Sequence, residues 1–369
     1  MKYYILLLCL IVHKISYAIE YSTSAKQAIL IDATTGQILF ENNADELMHP
    51  SSMTKIMTTY LAFDALKNGK ISMSTRFTTS EKAWRMQGSR MFLNYGDTPT
   101  VDELLKGIVV QSGNDACVVI AEGLAGTEEA FVQKMNAMAK KLNMNSTNFT
   151  NASGWPDPNN LSTAKDLSKL AIALIRNFPE YYHYHQMQKF SYGNIMQNNR
   201  NTLLGKFGVN GIKTGHTEAG GYGVVLSAEN QNKKLIAVIN GLQSDKDRAQ
   251  EGAKILNYGF ANFVSATVLR NDKILAKSNV RYGAVPFVNL KVKENLNVLT
   301  NSESVTMQCT MTYDSNIQAP IFIGQKLGSA KCNIKNIFLD YITVDLIAAE
   351  QVQKANFLQR IIQNLEYIF

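Results

Sequence analysis

Ser52 and Lys55 stand three positions apart in the stretch HPSSMTKIMTTYLAFDAL, residues 49–66. Three residues is close to one helical turn, so the two side chains can meet on one face. A serine hydroxyl is a nucleophile at neutral pH only when a base takes its proton, and a lysine can be that base if burial or a nearby cation lowers its pKa. The competing reading is a helix cap beside a solvated lysine. Spacing alone does not separate the two, because Ser162-Thr163-Ala164-Lys165 repeats it.

Two further groups give the first pair a context. Ser112-Gly113-Asn114 opens a helical pattern and offers a hydroxyl and an amide for proton relay and substrate contact; Ser112 read alone is an N-cap. Lys213-Thr214-Gly215 precedes the strand-like GGYGVVLSAE and supplies a second cation, a hydroxyl donor for a carboxylate, and a glycine that lets backbone approach a ligand. Each group has an ordinary structural explanation. All three in this order, headed by Ser52, Ser112 and Lys213, are far less expected by accident than any one of them, and favour Lys55 as a base over a solvated lysine. The run Tyr181-Tyr182-His183-Tyr184-His185 looks like a metal or base cluster, but residues two apart on a helix diverge and no third ligand stands near in sequence. Neither a metal nor a cofactor is expected.

These residues must be positioned by a framework, and the chain supplies one. Residues 27–40 read as two short strands about the turn Ala33-Thr34-Thr35-Gly36. Helices are expected from about 52 to 67, after Gln111, over TEEAFVQKMNAMAKKLNM, over AKDLSKLAIALIRNF and from 245 to 263. GYGVVLSAEN and KKLIAVINGLQ read as a strand pair around a polar Asn-Gln-Asn turn. Strand pair, helices, strand pair and closing helix give a mixed α+β layer whose first and last strands can share one antiparallel sheet. After about Val264 short β-branched and aromatic runs alternate with polar turns, as in a small all-β module.

The tail places Leu358, Ile361, Ile362, Leu365 and Ile368 on one helical face. That face either lies in a membrane interface or packs on the β module; the apolar run is too short to span a bilayer. At the other end, MKYYILLLCLIVHKISYA carries Lys2, an apolar core and a small-x-small ending, which predicts a secretory leader cleaved before Ile19. Cys9 is preceded by Leu8, too large for a lipoprotein site. The formal charge of +7 becomes 7 − 2 = +5 without Lys2 and Lys14, and cations interleave with acids. That pattern excludes a nucleic-acid stripe, and an exported protein with this balance would be drawn toward anionic membranes or wall polymers. Of the three cysteines left, Cys309 and Cys332 can pair in an oxidising compartment, with Cys117 a small apolar residue.

The segments HPSSMTKIMT, QSGNDAC, STAKDLS and GIKTGHTEAGGYG resemble the penicillin-binding proteins and serine β-lactamases, and more closely the low-molecular-mass D-alanyl-D-alanine carboxypeptidases. The resemblance covers nearly the whole chain after the leader. It implies a β-lactamase/transpeptidase-like catalytic domain over 19–263, a β-rich domain over 264–345 and an amphipathic helix over 346–369. It implies Ser52 as acylated nucleophile, Lys55 as its base, Ser112 and Asn114 lining the cleft, and Lys213 assisting proton transfer and carboxylate binding. The N–H groups of Ser52 and His216 would form the oxyanion hole, while Thr214, Gly215 and Arg248 receive the substrate; an exposed arginine at a helix start is the other reading of Arg248. Expected partners are peptidoglycan stems ending in D-Ala-D-Ala, β-lactams as covalent inhibitors and, through the tail, the outer face of the cytoplasmic membrane. Ser51 and Met53 depart from the usual alanine and leucine, and Trp155 is bulky for the loop NASGWPDPNNLSTAKD, which bears on substrate preference. The rival readings are a β-lactamase, disfavoured because Ser153–Lys165 holds Asp157 and no glutamate, a wall endopeptidase, and a non-catalytic wall-binding protein.

Overall fold

The computed structural model describes residues 2–12, 21–301, 304–334 and 341–366. The chain divides into two units, one built on Ile38–Ala261 and the other on Asn262–Phe369.

In the first unit, strands β1 (Gln27–Asp32), β2 (Ile38–Asn42), β3 (Val209–Thr217), β4 (Gly221–Asn230) and β5 (Lys233–Leu242) form one antiparallel sheet in the order β2-β1-β5-β4-β3. The strand pairs from both ends of the unit thus share the expected sheet, joined where β1 pairs with β5. The Asn-Gln-Asn turn between β4 and β5 takes positive φ at Gln231 and Asn232, the twist that suits a two-residue hairpin loop. Burial along β1 is unbroken, which requires layers on both faces. One layer is α6 (Asp245–Asn262), whose Gly252 and Gly259 let Leu30, Leu226, Leu235 and Ile239 of the sheet approach the helix backbone.

The helical part comprises α1 (Lys55–Lys67), α2 (Val101–Val110), α3 (Asn114–Ala125), α4 (Glu128–Lys141) and α5 (Ala164–Asn177). Helix α1 is buried on nearly every side, from Ile56 to Leu66, so it is a central post and not an amphipathic surface helix. A 3₁₀ turn over Ser51–Thr54 precedes it, so Ser52 lies in that turn and Lys55 at the first position of α1. Helix α2 starts with a capping box, in which Thr100 Oγ1 accepts the Glu103 N–H and Glu103 Oε2 accepts the Thr100 N–H. The T-x-x-E signal is present in the sequence, yet the expected helices omit this one. The 3₁₀ segment Tyr182–Gln186 holds the Tyr/His run, and a hairpin Lys189–Asn198 also lay outside the expected elements.

The second unit carries a seven-stranded sheet ordered Lys2–Val12, Ser304–Asp314, Lys326–Ile334, Ile342–Ala348, Phe287–Val292, Ala276–Arg281 and Asn316–Gln318. A separate pair joins Val264–Leu269 to Leu296–Thr300. Its core gathers Val288, Leu290, Val292, Met311, Ile321 and Leu346. Cys309 and Cys332 face each other across neighbouring strands and are disulfide-bonded, while Cys117 is free and buried in α3. The expected boundary between 345 and 346 falls inside the strand Ile342–Ala348; the terminal helix begins only at Phe357, because Val352 and Ala355 still belong to the buried interior. The apolar stretch Lys2–Val12 is extended and pairs with Ser304–Asp314. The expected cleavage position and Ile368 of the apolar tail face lie outside the described residues.

Candidate active site

The 3₁₀ turn and the first turn of α1 bring Ser52 Oγ within 2.9 Å of Lys55 Nζ. Lys55 is 0% exposed and also donates to Asn114 Oδ1 at 2.8 Å and to the Ser153 carbonyl at 2.5 Å. Burial is the main force lowering its pKa, to about 8, and the Arg200 charge pushes the same way while Asp115 opposes. A solvated lysine is therefore excluded at this position.

Asn114 is held by donation of its Nδ2 to the Gln87 carbonyl at 2.7 Å. Asp115 beside it accepts the backbone N–H groups of Met91, at 3.0 Å, and Leu93, at 3.2 Å, which ties the segment around Ser89 to the start of α3. Ser112 is not an N-cap: Gly113 holds that place, and Ser112 sits at φ 64 with Oγ enclosed and without a hydrogen-bond partner among the described residues. An enclosed hydroxyl with no partner is costly unless a ligand or a proton path uses it.

Strand β3 forms the other wall and is an edge strand of the sheet. Lys213 is 4% exposed and donates to the Thr214 carbonyl at 3.0 Å. Burial first, then the positive charges of Lys55, Arg200 and Arg248, hold its pKa well below the usual lysine value. Gly215 is needed by packing: a Cβ there would lie 2.9 Å from the Pro50 carbonyl oxygen and 3.2 Å from Met53 Cγ, so any side chain would push the Ser52 turn off the strand. The His216 ring stacks on Tyr222, its cross-strand partner, with centroids 3.9 Å apart.

A cleft of about 490 Å³ joins these parts, lined by Ser52, Ser112, Thr214, Gly215, His216 and Arg248. Arg248 is buried, not exposed: it pairs with Asp245, donates to the Arg200 carbonyl at 3.3 Å and lies over the Tyr222 ring. Arg200, Ser89, Thr202, Tyr222 and Asp245 also line the cleft and were not singled out in the sequence. Arg200 comes from the polar loop NNRNT, where one more arginine carries no pattern; only the fold brings it to the site. The cleft thus holds a serine paired with a buried amine, a second unpartnered hydroxyl, and cations suited to a carboxylate.

The other candidates fall elsewhere. The cap of α5 is Thr163; Ser162 is buried against Thr147, and Lys165 pairs with Asp45. His185 is buried, with its pKa lowered to about 4 chiefly by desolvation, and its Nδ1 lies 3.3 Å from the Ile212 carbonyl. His183 is exposed. Among the described residues no group of three or more His, Cys, Asp or Glu side chains is placed to hold a metal.

Comparison with known proteins gives the family of the chain. A family model described as D-alanyl-D-alanine carboxypeptidase matches residues 14–244, and one described as penicillin-binding protein 5, C-terminal domain, matches residues 263–354. The D-alanyl-D-alanine carboxypeptidase DacC of Escherichia coli (strain K12) is 36% identical over 350 residues, 92% of this chain and 87% of that protein. The crystal structure of penicillin-binding protein 5 from Haemophilus influenzae superposes with a TM-score of 0.73 at 33% identity, covering 91% of this chain and 99% of that one. Penicillin-binding protein D2 from Listeria monocytogenes, in an ampicillin-bound form, gives 0.60 at 29% identity, covering 65% of this chain and 99% of that one. The chain belongs to the D-alanyl-D-alanine carboxypeptidase family of serine peptidases, with a penicillin-binding protein 5-type C-terminal domain.

Proposed function

We propose that Ser52, Lys55 and Ser112 are the groups through which this D-alanyl-D-alanine carboxypeptidase removes the terminal D-Ala of peptidoglycan stems. The observation that carries the assignment is the fully buried Lys55 amine 2.9 Å from Ser52 Oγ, with a pKa lowered to about 8. A neutral Lys55 takes the Ser52 proton as Oγ attacks the carbonyl carbon of the penultimate D-Ala. The N–H groups of Ser52 and His216 receive the developing oxyanion. The C–N bond breaks, and the departing D-Ala amine takes a proton passed by Ser112 from the Lys55–Lys213 side of the cleft. Water then adds to the ester, and Ser52 regains its proton as the shortened stem leaves. Asn114 orients Lys55 and the acyl chain, while Thr214 and Arg248 receive the terminal carboxylate of the substrate; Gly215 keeps the wall close.

β-Lactams enter the same path as mimics of the dipeptide and stay as slow acyl-enzymes. The loop that approaches Ser52 offers the Ser153 carbonyl to Lys55 and no glutamate, which supports slow deacylation over β-lactamase turnover. Mass spectrometry after penicillin treatment tests this: the adduct is expected on the peptide carrying Ser52, and an adduct on another residue would refute the assignment.

The same reading places the enzyme outside the cytoplasm, exported by its leader and attached to the membrane surface by its terminal helix. Phe357, Leu358, Ile361 and Ile362 are exposed on that helix, with Leu358 at 71%, and Lys354 and Arg360 lie beside them. Among the described residues no helix is long and apolar enough to cross a membrane. Replacing Leu358, Ile361 and Ile362 by glutamine is expected to abolish sedimentation with anionic vesicles; unchanged sedimentation would sink the attachment.

A further inference from the structure

Lys55 has two acceptors besides Ser52, and each is held by groups further out. Asn114 Oδ1 is fixed through Asn114 Nδ2 on the Gln87 carbonyl. The Ser153 carbonyl belongs to a segment, residues 149–155, that has neither helix nor strand to fix it. A carbonyl on such a loop keeps its direction only if side chains hold the backbone around it.

Those side chains come from two helices and from the loop itself. Thr58 Oγ1 of α1 donates to the Ala152 carbonyl at 2.6 Å. Asn136 of α4 takes both backbone groups of Phe149, accepting its N–H at 2.8 Å and donating to its carbonyl at 2.9 Å. Asn151 Oδ1 accepts the Ser153 N–H at 3.2 Å and the Trp155 N–H at 2.9 Å. Glu128, the first residue of α4, is the charged member of the set: its Oε1 accepts the Ala152 N–H at 2.9 Å.

An acid in the first turn of a helix has an ordinary explanation, since it sits well against the helix dipole, and Glu129 fits that description. Glu128 is placed differently. It is 8% exposed, and its carboxylate is turned onto the amide of a fully buried alanine. Its other oxygen, Oε2, lies 2.9 Å from Lys82 Nζ. Lys82 belongs to the helical turn Glu81–Trp84, five residues before the Gln87 whose carbonyl holds Asn114. One ion pair thus joins the two segments that support the acceptors of Lys55.

We propose that Glu128 is a positioning residue for acylation: by holding the Ala152 amide it sets the Ser153 carbonyl against the Lys55 amine. The inference rests on Lys55 as the base of Ser52. Ala152 immediately precedes Ser153, so a loop released at the Ala152 N–H lets the next carbonyl swing away from Nζ. The ammonium then loses one of its three acceptors, which favours the neutral amine. The amine is also less well aimed at the Ser52 proton. The other groups whose charge acts on Lys55 stay in place: Asp115 and the Cys117 thiol of α3, Arg200, and Lys213 of β3.

The test follows labelling of the full chain by a fluorescent penicillin from pH 6 to 9. The second-order rate is taken per labelling-competent protein, so that unfolded protein lowers the amplitude and leaves the rate unchanged. In Glu128→Ala the midpoint of the rise should move down by about one pH unit, the worth of one hydrogen bond to a charged group, and the plateau should fall by about tenfold or more. Glu128→Gln, which keeps an oxygen for the Ala152 N–H, should stay within about half a pH unit and about threefold of the wild type, the worth of a partly exposed ion pair. Where Glu128→Ala leaves no competent protein, Glu128→Asp, which keeps the charge and shortens the reach, decides by the same two readings. A wild-type midpoint and plateau in the deciding variant, or a Glu128→Gln as impaired as that variant, would overturn the positioning role and leave Lys55 as the base. A wild-type rate that is flat over this range would overturn both.

Discussion

Acylation is expected to quicken as pH rises from 6 to 9, and the structure sets the size of the effect. Lys55 must be neutral to accept the Ser52 proton, and its pKa lies at about 8. Its three hydrogen-bond acceptors favour the ammonium, whereas complete burial and the Arg200 charge favour the amine; burial is the largest of these influences. With that pKa the neutral fraction is about one hundredth at pH 6, about one tenth at pH 7 and about nine tenths at pH 9. The second-order rate of labelling by a fluorescent penicillin should therefore rise about tenfold from pH 6 to pH 7 and again from pH 7 to pH 9, then level off. Lys55→Arg should lose the rate altogether, since a guanidinium stays protonated over the whole range. A flat profile from pH 6 to 9 would refute Lys55 as the base, and so would a wild-type profile that survives in Lys55→Arg.

Other outcomes follow from single positions. Arg248→Gln should lower kcat/KM by about ten- to a hundredfold on a peptide with a free terminal carboxylate, the worth of one charged hydrogen bond, and far less on the C-terminal amide; equal losses on both would remove Arg248 from carboxylate binding. Gly154→Ala should cost about 3 kcal/mol in urea unfolding, because positive φ and the Ser51 carbonyl leave no room for a methyl group. His185 has a folded pKa of about 4 against an unfolded value near 6.5, so the unfolded chain binds more protons between them and stability falls on acidification through that window. The loss is on the order of 3 kcal/mol for this fully buried ring. His185→Phe should flatten the difference in urea midpoint between pH 7 and pH 4.5, and an unchanged difference would assign it to other groups.

The chemistry was more legible in the sequence than its surroundings were. Ser52, Lys55, Ser112, Asn114 and Lys213 lie in short motifs whose order is itself a signal, and the fold brings them to one cleft. The five-stranded sheet was legible because its strands are apolar runs bounded by turn residues. Arg200 and the Ser153 carbonyl were not, since each reaches the site by long-range packing of a loop that has no periodicity. The cap was the competing reading of Ser112, a residue expected in the cleft; Gly113 takes the cap position and Ser112 lines the cleft. The terminal helix, expected from 346, begins at Phe357, and Ala348, Val352 and Ala355 before it are buried.

D-Ala release from a diacyl-L-Lys-D-Ala-D-Ala peptide, by the wild-type chain and by Ser52→Ala, tests the central claim most directly. The account predicts release by the wild type and none above background from the variant. Release that persists in Ser52→Ala, or none from a wild-type protein that still binds penicillin covalently at Ser52, would contradict it.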